Sequence, residues 1–133
     1  MSPFRDDTAQ SMNVQLAIAA ALAALLGITH SWIGEKWIVQ PVLAMEALPK
    51  LRDSRRGMQK IVRYAWHLTS VFFFAMAAVL FHFSRVPKDP AVLQIIAVTY
   101  FISAVVTFAA SRGRHYAWPI FLIIGSLTWF SRN

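Results

Sequence analysis

The chain has 133 residues, 57% hydrophobic and only 14% charged, with thirteen Lys and Arg against six Asp and Glu for a net charge of +7. Ordinary soluble domains are roughly 45–50% apolar and about 25% charged, so the composition argues against a water-soluble globular domain. The absence of cysteine excludes disulfides, thiolate metal sites and cysteine nucleophiles.

The apolar residues fall into four runs, 14–33, 62–81, 91–110 and 116–130. Each comes close to the roughly 20 residues that a bilayer-crossing helix needs. The tail ahead of the first run carries Arg5 against Asp6 and Asp7, which is not the positive region of a secretory signal. The run itself is alanine-rich but continues through Ile28, Trp32 and Ile33, so it reads as an uncleaved helix. A start at Met12 would leave that helix intact, which makes the tail dispensable. Ala19, Ala23, Gly27 and Ser31 recur every four residues along it and predict a contact face, because small residues mark where membrane helices touch. The run ends in His30-Ser-Trp-Ile-Gly-Glu35.

Between the first and second runs, residues 41–48 are apolar but too short to span. They predict a short segment lying along the membrane interface, with Pro41 in its first turn and Pro49 stopping it. A basic stretch follows, in which Ser54 is placed to cap the helix that leads into the second run. That run opens with Arg63-Tyr-Ala-Trp-His67-Leu-Thr-Ser70. The third run carries Thr99, Ser103, Thr107 and Ser111 at the same spacing of four, a second contact face or, on a sharper reading, a polar translocation path. Arg114-His115-Tyr116 introduces the fourth.

Together these elements predict an all-α integral membrane four-helix bundle, a single transmembrane domain over residues 1–133. No extramembrane domain is expected to carry a separate activity. An even number of spans puts both termini on one side. Arg5, Arg85, Lys88 and Arg132 lie on that side, four in all, against nine on the other: Lys36, Lys50, Arg52, Arg55, Arg56, Lys60, Arg63, Arg112 and Arg114. The positive-inside rule places the nine in the cytoplasm, hence N-out and C-out. The net charge then suits anionic lipid headgroups, and the bilayer rather than nucleic acid is the expected partner. Trp32, Trp37, Tyr64, Trp66, Tyr116 and Trp118 gather at the cytoplasmic interface and Trp129 at the outer one, as an aromatic belt or partly as pocket lining.

Ionisable residues within spans are costly and by default face the bundle interior with a partner. The candidate ligand-binding residues are His30, Ser31, Glu35, Arg63 and His67, all at the cytoplasmic ends of spans, with His115 at similar depth. His82 lies at the opposite end. Ser31 and Glu35 are four apart and share a helix face, as do Arg63 and His67. His30 and Glu35, five apart, converge only if Gly34 loosens the turn.

Four readings fit this cluster. It is a self-contained Glu35–Arg63 pair with His67 alongside; a transition-metal site drawn from His30, Glu35, His67 and His115; a haem held between His30 and His67; or a grip on a small anion by Arg63 and His67. The spacing that puts two metal ligands on one helix face, H-x-x-x-H or H-x-x-x-E, is absent. An enzyme is not the expectation: His67 or Glu35 supplies a general base, but no nucleophile elbow, phosphate loop or zincin motif accompanies it. A solute transporter would need a homo-oligomer, since no internal repeat is evident. An accessory subunit would need a larger membrane partner.

The segment His30-Ser-x-x-Gly-Glu35, with Pro41-Val-Leu, Leu48-Pro49 and then Trp66-His67-Leu-Thr-Ser70, resembles a family of small bacterial four-span membrane proteins that has no established activity. The likeness covers residues 12–78 by motif and the second half by hydropathy only. It implies four helices in the bacterial inner (cytoplasmic) membrane, adds no catalytic assignment, and supports treating the two motifs as a unit.

Overall fold

The computed structural model describes residues 11–52 and 54–132, and among these the fold is all-helical. Helix α1 (Val14–Gly34) passes through one π turn (Glu35–Val39) into the short α2 (Gln40–Ala44). Helix α3 (Arg55–Phe83), α4 (Pro90–Ser111) and α5 (Ala117–Phe130) follow. The nearest thing to a strand is one isolated bridge between Leu51 and Ser54.

Local chemistry accounts for the helix ends. Asn13 accepts a hydrogen bond from the Leu16 amide at 3.0 Å, Ser54 from Gly57 at 3.1 Å, and Asp89 from Ala91 and Val92 at 2.9 and 3.2 Å. Each satisfies first-turn donors that have no intrahelical partner. Ser54 is the cap expected from the sequence, and it starts α3 seven residues before the apolar run begins at 62. Helix α4 ends with Arg112 and Gly113 at φ 51° and 77°, and the Gly113 N–H reaches back to Phe108 O at 2.9 Å in a left-handed C-terminal cap.

The interfacial segment expected over 41–48 is not a separate element. Pro41 does occupy a first turn, but the turn belongs to α2, and α2 continues α1 so that one helical rod runs over Val14–Ala44. In a regular α-helix the ring of Pro41 would strike the carbonyl four residues back. The π turn widens the backbone just ahead of it, with the Gln40 N–H bonding to Glu35 O. The rod ends at Ala44, five residues before Pro49. Its last carbonyls are taken by α3: Arg55 Nη2 donates to Ala44 O and Met45 O at 3.2 and 2.6 Å, and Gln59 Nε2 to Leu43 O at 3.0 Å.

Helix α1 packs on α3 and α5, and α4 packs on α5. Leu16, Leu80, Leu93 and Ile124, one from each long or apolar helix, are 0% exposed and form the centre of the core. The alanine and glycine face of α1 is a contact face as expected, with Ala19, Ala23 and Gly27 buried. The hydroxyl stripe on α4 is not. Thr99 is exposed, and Thr99, Ser103 and Ser111 bond to carbonyls of their own helix at 2.9, 2.8 and 2.6 Å. The buried face of α4 is instead Leu93, Ile96, Ala97, Tyr100 and Ala104. Apolar packing outweighs hydroxyls that can satisfy themselves locally.

Three of the helices, rather than the four expected, are long and apolar enough to cross a membrane: Val14–Ala44, Arg55–Phe83 and Pro90–Ser111. Helix α5 has 14 residues, about 21 Å at 1.5 Å per residue, against a hydrocarbon core of about 30 Å. The start of α1, the end of α3 and the end of α5 meet at one end of the bundle. There Asn13 N–H donates to Ser84 O at 2.8 Å, Ser131 Oγ–H to Gln15 Oε1 at 2.9 Å, and Lys88 Nζ to Ser131 O at 2.7 Å. Fourteen residues along α1 from that end reach only to about Gly27, so the His30 to Glu35 segment extends past the start of α5.

Candidate functional site

The candidate site lies in the seam where the last turns of α1 meet the first half of α3. The two i,i+4 pairs expected from the sequence face each other across it. Arg63 Nε donates to Glu35 Oε1 at 2.9 Å, and His67 bridges the seam, with Nε2 3.2 Å from Glu35 Oε2 and Nδ1 2.8 Å from Ser31 Oγ. A neutral imidazole protonated on Nε2 fits both contacts: Nε2–H donates to the carboxylate, and the Ser31 hydroxyl donates to Nδ1. Ser31, His67, Glu35 and Arg63 thus form one hydrogen-bonded chain.

Exposure grades along that chain. The Glu35 side chain is 21% exposed, His67 38% and Arg63 50%. Glu35 receives two charge-assisted contacts, the stronger kind of hydrogen bond. Arg63 spends only Nε on it. Among the described residues its two Nη groups have no hydrogen-bond partner, and they sit on the half-exposed guanidinium at the mouth of the seam.

His30 stands beside this chain rather than in it. Its ring stacks on Trp66, with centroids 4.4 Å apart and planes within 5°, and meets Phe73 edge-on at 5.6 Å. Trp66 in turn donates Nε1–H to the backbone carbonyl of His30 at 2.9 Å. Gly34 makes this possible, because a Cβ there would overlap the Trp66 indole. The condition for His30 and Glu35 to converge is not met: Gly34 is regular helix at φ −63° and ψ −42°, and the backbone widens only after it, in the π turn Glu35–Val39. A π turn inside an α-helix often marks a functional site, and here it starts at the carboxylate of the cluster.

His115 does not join the cluster. It is exposed, and its Nδ1 accepts the Ala117 N–H at 3.1 Å at the start of α5. His82 lies at the other end of α3, against Phe83. The histidines and carboxylates do not assemble into a metal site: among the described residues no three or more converge in a geometry that could hold an ion. Both ring nitrogens of His67 are already bonded within the protein, which does not present it as an axial haem ligand. Of the expected belt, Trp32, Trp37, Tyr64 and Tyr116 are 74%, 72%, 65% and 88% exposed, while Trp66 and Trp118 turn inward.

Sequence reasoning did not single out Phe73 or Gln59, and it named Ser70 only as the end of a motif and Arg55 only in the count of basic residues. Phe73 and Ser70 follow Trp66 at seven and four residues on one face of α3, a helical spacing visible in the sequence once Trp66 is known to face α1. Nothing local marks Arg55 and Gln59 as partners of the α2 carbonyls.

The fold and seam therefore define an all-helical protein with three helices of membrane-crossing length and apolarity, and a part-exposed His, Glu, Arg and Ser cluster at one end. Comparison with family models, with curated proteins and with solved structures gives no match.

Proposed function

We propose that this chain is a multi-pass protein of the bacterial cytoplasmic membrane in which the short α5 makes a fourth crossing, bringing Ser131 back beside Gln15 at the start of α1, so that it is N-out and C-out, and that its seam cluster binds a small anionic group at the cytoplasmic end. The outward faces of the helices support insertion: Val71, Phe72, Ile95, Val105 and Val106, large apolar side chains on helices of membrane-crossing length, are 57–66% exposed. The nine-to-four division of basic residues and the exposed interfacial aromatics support the orientation.

The anion reading is carried by Arg63. It is held by one contact to Glu35, through Nε, while its side chain is half-exposed. A half-exposed ion pair is worth only about 0–1 kcal/mol, so an incoming carboxylate or phosphate can take the free Nη edge, or displace Glu35, at little cost. Bidentate Arg contacts favour such planar or tetrahedral anions. His67, fixed by Ser31, then holds Glu35 when it is released.

The test is the melting midpoint of the detergent-purified chain titrated with inorganic phosphate and, separately, acetate. A saturable rise that disappears in Arg63→Gln is expected, since a ligand that binds only the folded state stabilises by mass action. No rise, or an equal rise in Arg63→Gln, overturns the anion site.

A second reading is favoured by the two internal bonds of His67: the cluster as an interhelix latch in an accessory subunit. In that case Arg63→Gln lowers the starting midpoint, and anions do nothing in either protein.

A further inference from the structure

A polar atom buried between helices is costly to leave unpaired, and lipid cannot satisfy it. Inside the bundle three such atoms lack a hydrogen-bond partner among the described residues: His30 Nε2, Ser70 Oγ and Tyr100 OH. Ser70 is 3% exposed and Tyr100 5%. The first two belong to one place. Trp66 and Phe73 clasp the His30 ring by stacking and by edge contact. Ser70 lies between those two residues in the sequence of α3, four after Trp66 and three before Phe73, which puts all three on the helix face against which the His30 ring packs. Tyr100 is set apart, since Phe121 lies between it and Phe73 with ring centroids 6.0 Å away on each side.

We propose that His30 and Ser70 form a buried site for one water molecule, reached from the cytoplasmic end of the α1–α3 seam, through which His30 exchanges protons inside the first span. This rests on the membrane reading above but not on the anion site at Arg63.

The chemistry matches at both contacts. A hydroxyl donates and accepts, and an imidazole nitrogen does one or the other according to its tautomer, so water is the smallest molecule that satisfies both. A proton passed from the water to Nε2 is replaced on that water from the cytoplasmic side; the ring gains one proton and the water keeps its two O–H bonds. The imidazolium so formed lies on the face of Trp66, where a cation is attracted to the ring. The titratable groups that act on it are His67 on α3 and His115 before α5, and beyond His67 stand its partner Glu35 and the Arg63 paired with that carboxylate.

The full chain in lipid nanodiscs, labelled with 15N at its four histidines, tests this directly. With His30 assigned by its loss in His30→Gln, a water-exchange cross-peak is expected at the His30 ring. It should vanish in Ser70→Val and persist in Tyr100→Phe. Thermal melting of Ser70→Ala gives a second readout that needs no assignment. In an occupied site the variant loses a bonded hydroxyl and melts lower; in a dry seam it loses an unpaired one and melts higher. Absence of the water signal at His30, its survival in Ser70→Val, or a higher midpoint for Ser70→Ala each overturns the proposal. The phosphate response of the chain is independent of Ser70, so failure here leaves the Arg63 site standing, and the reverse also holds.

Discussion

Trp66 is the side chain on which the seam is organised: its ring carries His30, its N–H ties α3 to the α1 backbone, and its close approach requires that Gly34 have no side chain. A methyl group at Gly34 cannot be absorbed by flexible neighbours, because it meets the rigid indole over several atoms. Gly34→Ala is therefore expected to destabilise the protein by about 1–3 kcal/mol, the usual range for overpacking. Pairing it with Trp66→Leu should recover part of that loss, because contacting residues are not additive. Unfolding midpoints of the two single variants and the double variant check this, and simple additivity would contradict it. Gly34 was legible in the sequence as a special position, but for another reason. Its neighbours His30 and Glu35 suggested a loosened turn, whereas what the glycine provides is room, and that demand comes from a residue 32 positions away on another helix.

At the scale of the element, the rod formed by α1, the π turn and α2 shows local and tertiary causes meeting. Pro41 demands a wider helix ahead of it. Arg55 and Gln59 decide that the rod continues as far as Ala44, because they accept the task of pairing its last carbonyls. Arg55→Ala should remove two of those hydrogen bonds, at about 1 kcal/mol each or less. Amide hydrogen exchange over residues 40–47 is then expected to quicken while the middle of α3 is unchanged. Exchange rates that stay equal to wild type would show that the rod end is held by something else. The caps at Asn13, Ser54 and Asp89 follow from chemistry within three residues. The end of α2 does not, which is why residues 41–48 read as an independent segment in the sequence. Similarly, spacing alone made the α4 hydroxyls look like a contact face. Their oxygens find carbonyls one turn back, and Leu93, Ile96 and Tyr100 take the interface because apolar bulk fills it.

For the whole molecule, the start of α1 meets the ends of α3 and α5 in the Asn13, Ser84, Gln15 and Ser131 contacts at one end, and the cluster lies at the other. This antiparallel order makes the orientation testable with a chain that has no native cysteine. Pro87→Cys should react with a membrane-impermeant maleimide added outside intact cells. Lys50→Cys should react only after the membrane is opened. The reverse pattern would invert the proposed topology and put the Arg63 site on the outer face.

The sequence by itself determined the helical class, the order of the elements, most of the helix starts and the pairs Ser31/Glu35 and Arg63/His67, since hydropathy, capping and the 3.6-residue repeat act over short stretches of chain. Only the tertiary structure decided that these two pairs meet while His30 turns to Trp66 and His115 stays outside. The same holds for the short reach of α5, which leaves the seam extending past its start. Such choices depend on which side chains fill the space between helices, and that is fixed by packing between residues far apart in sequence, where no local pattern records it.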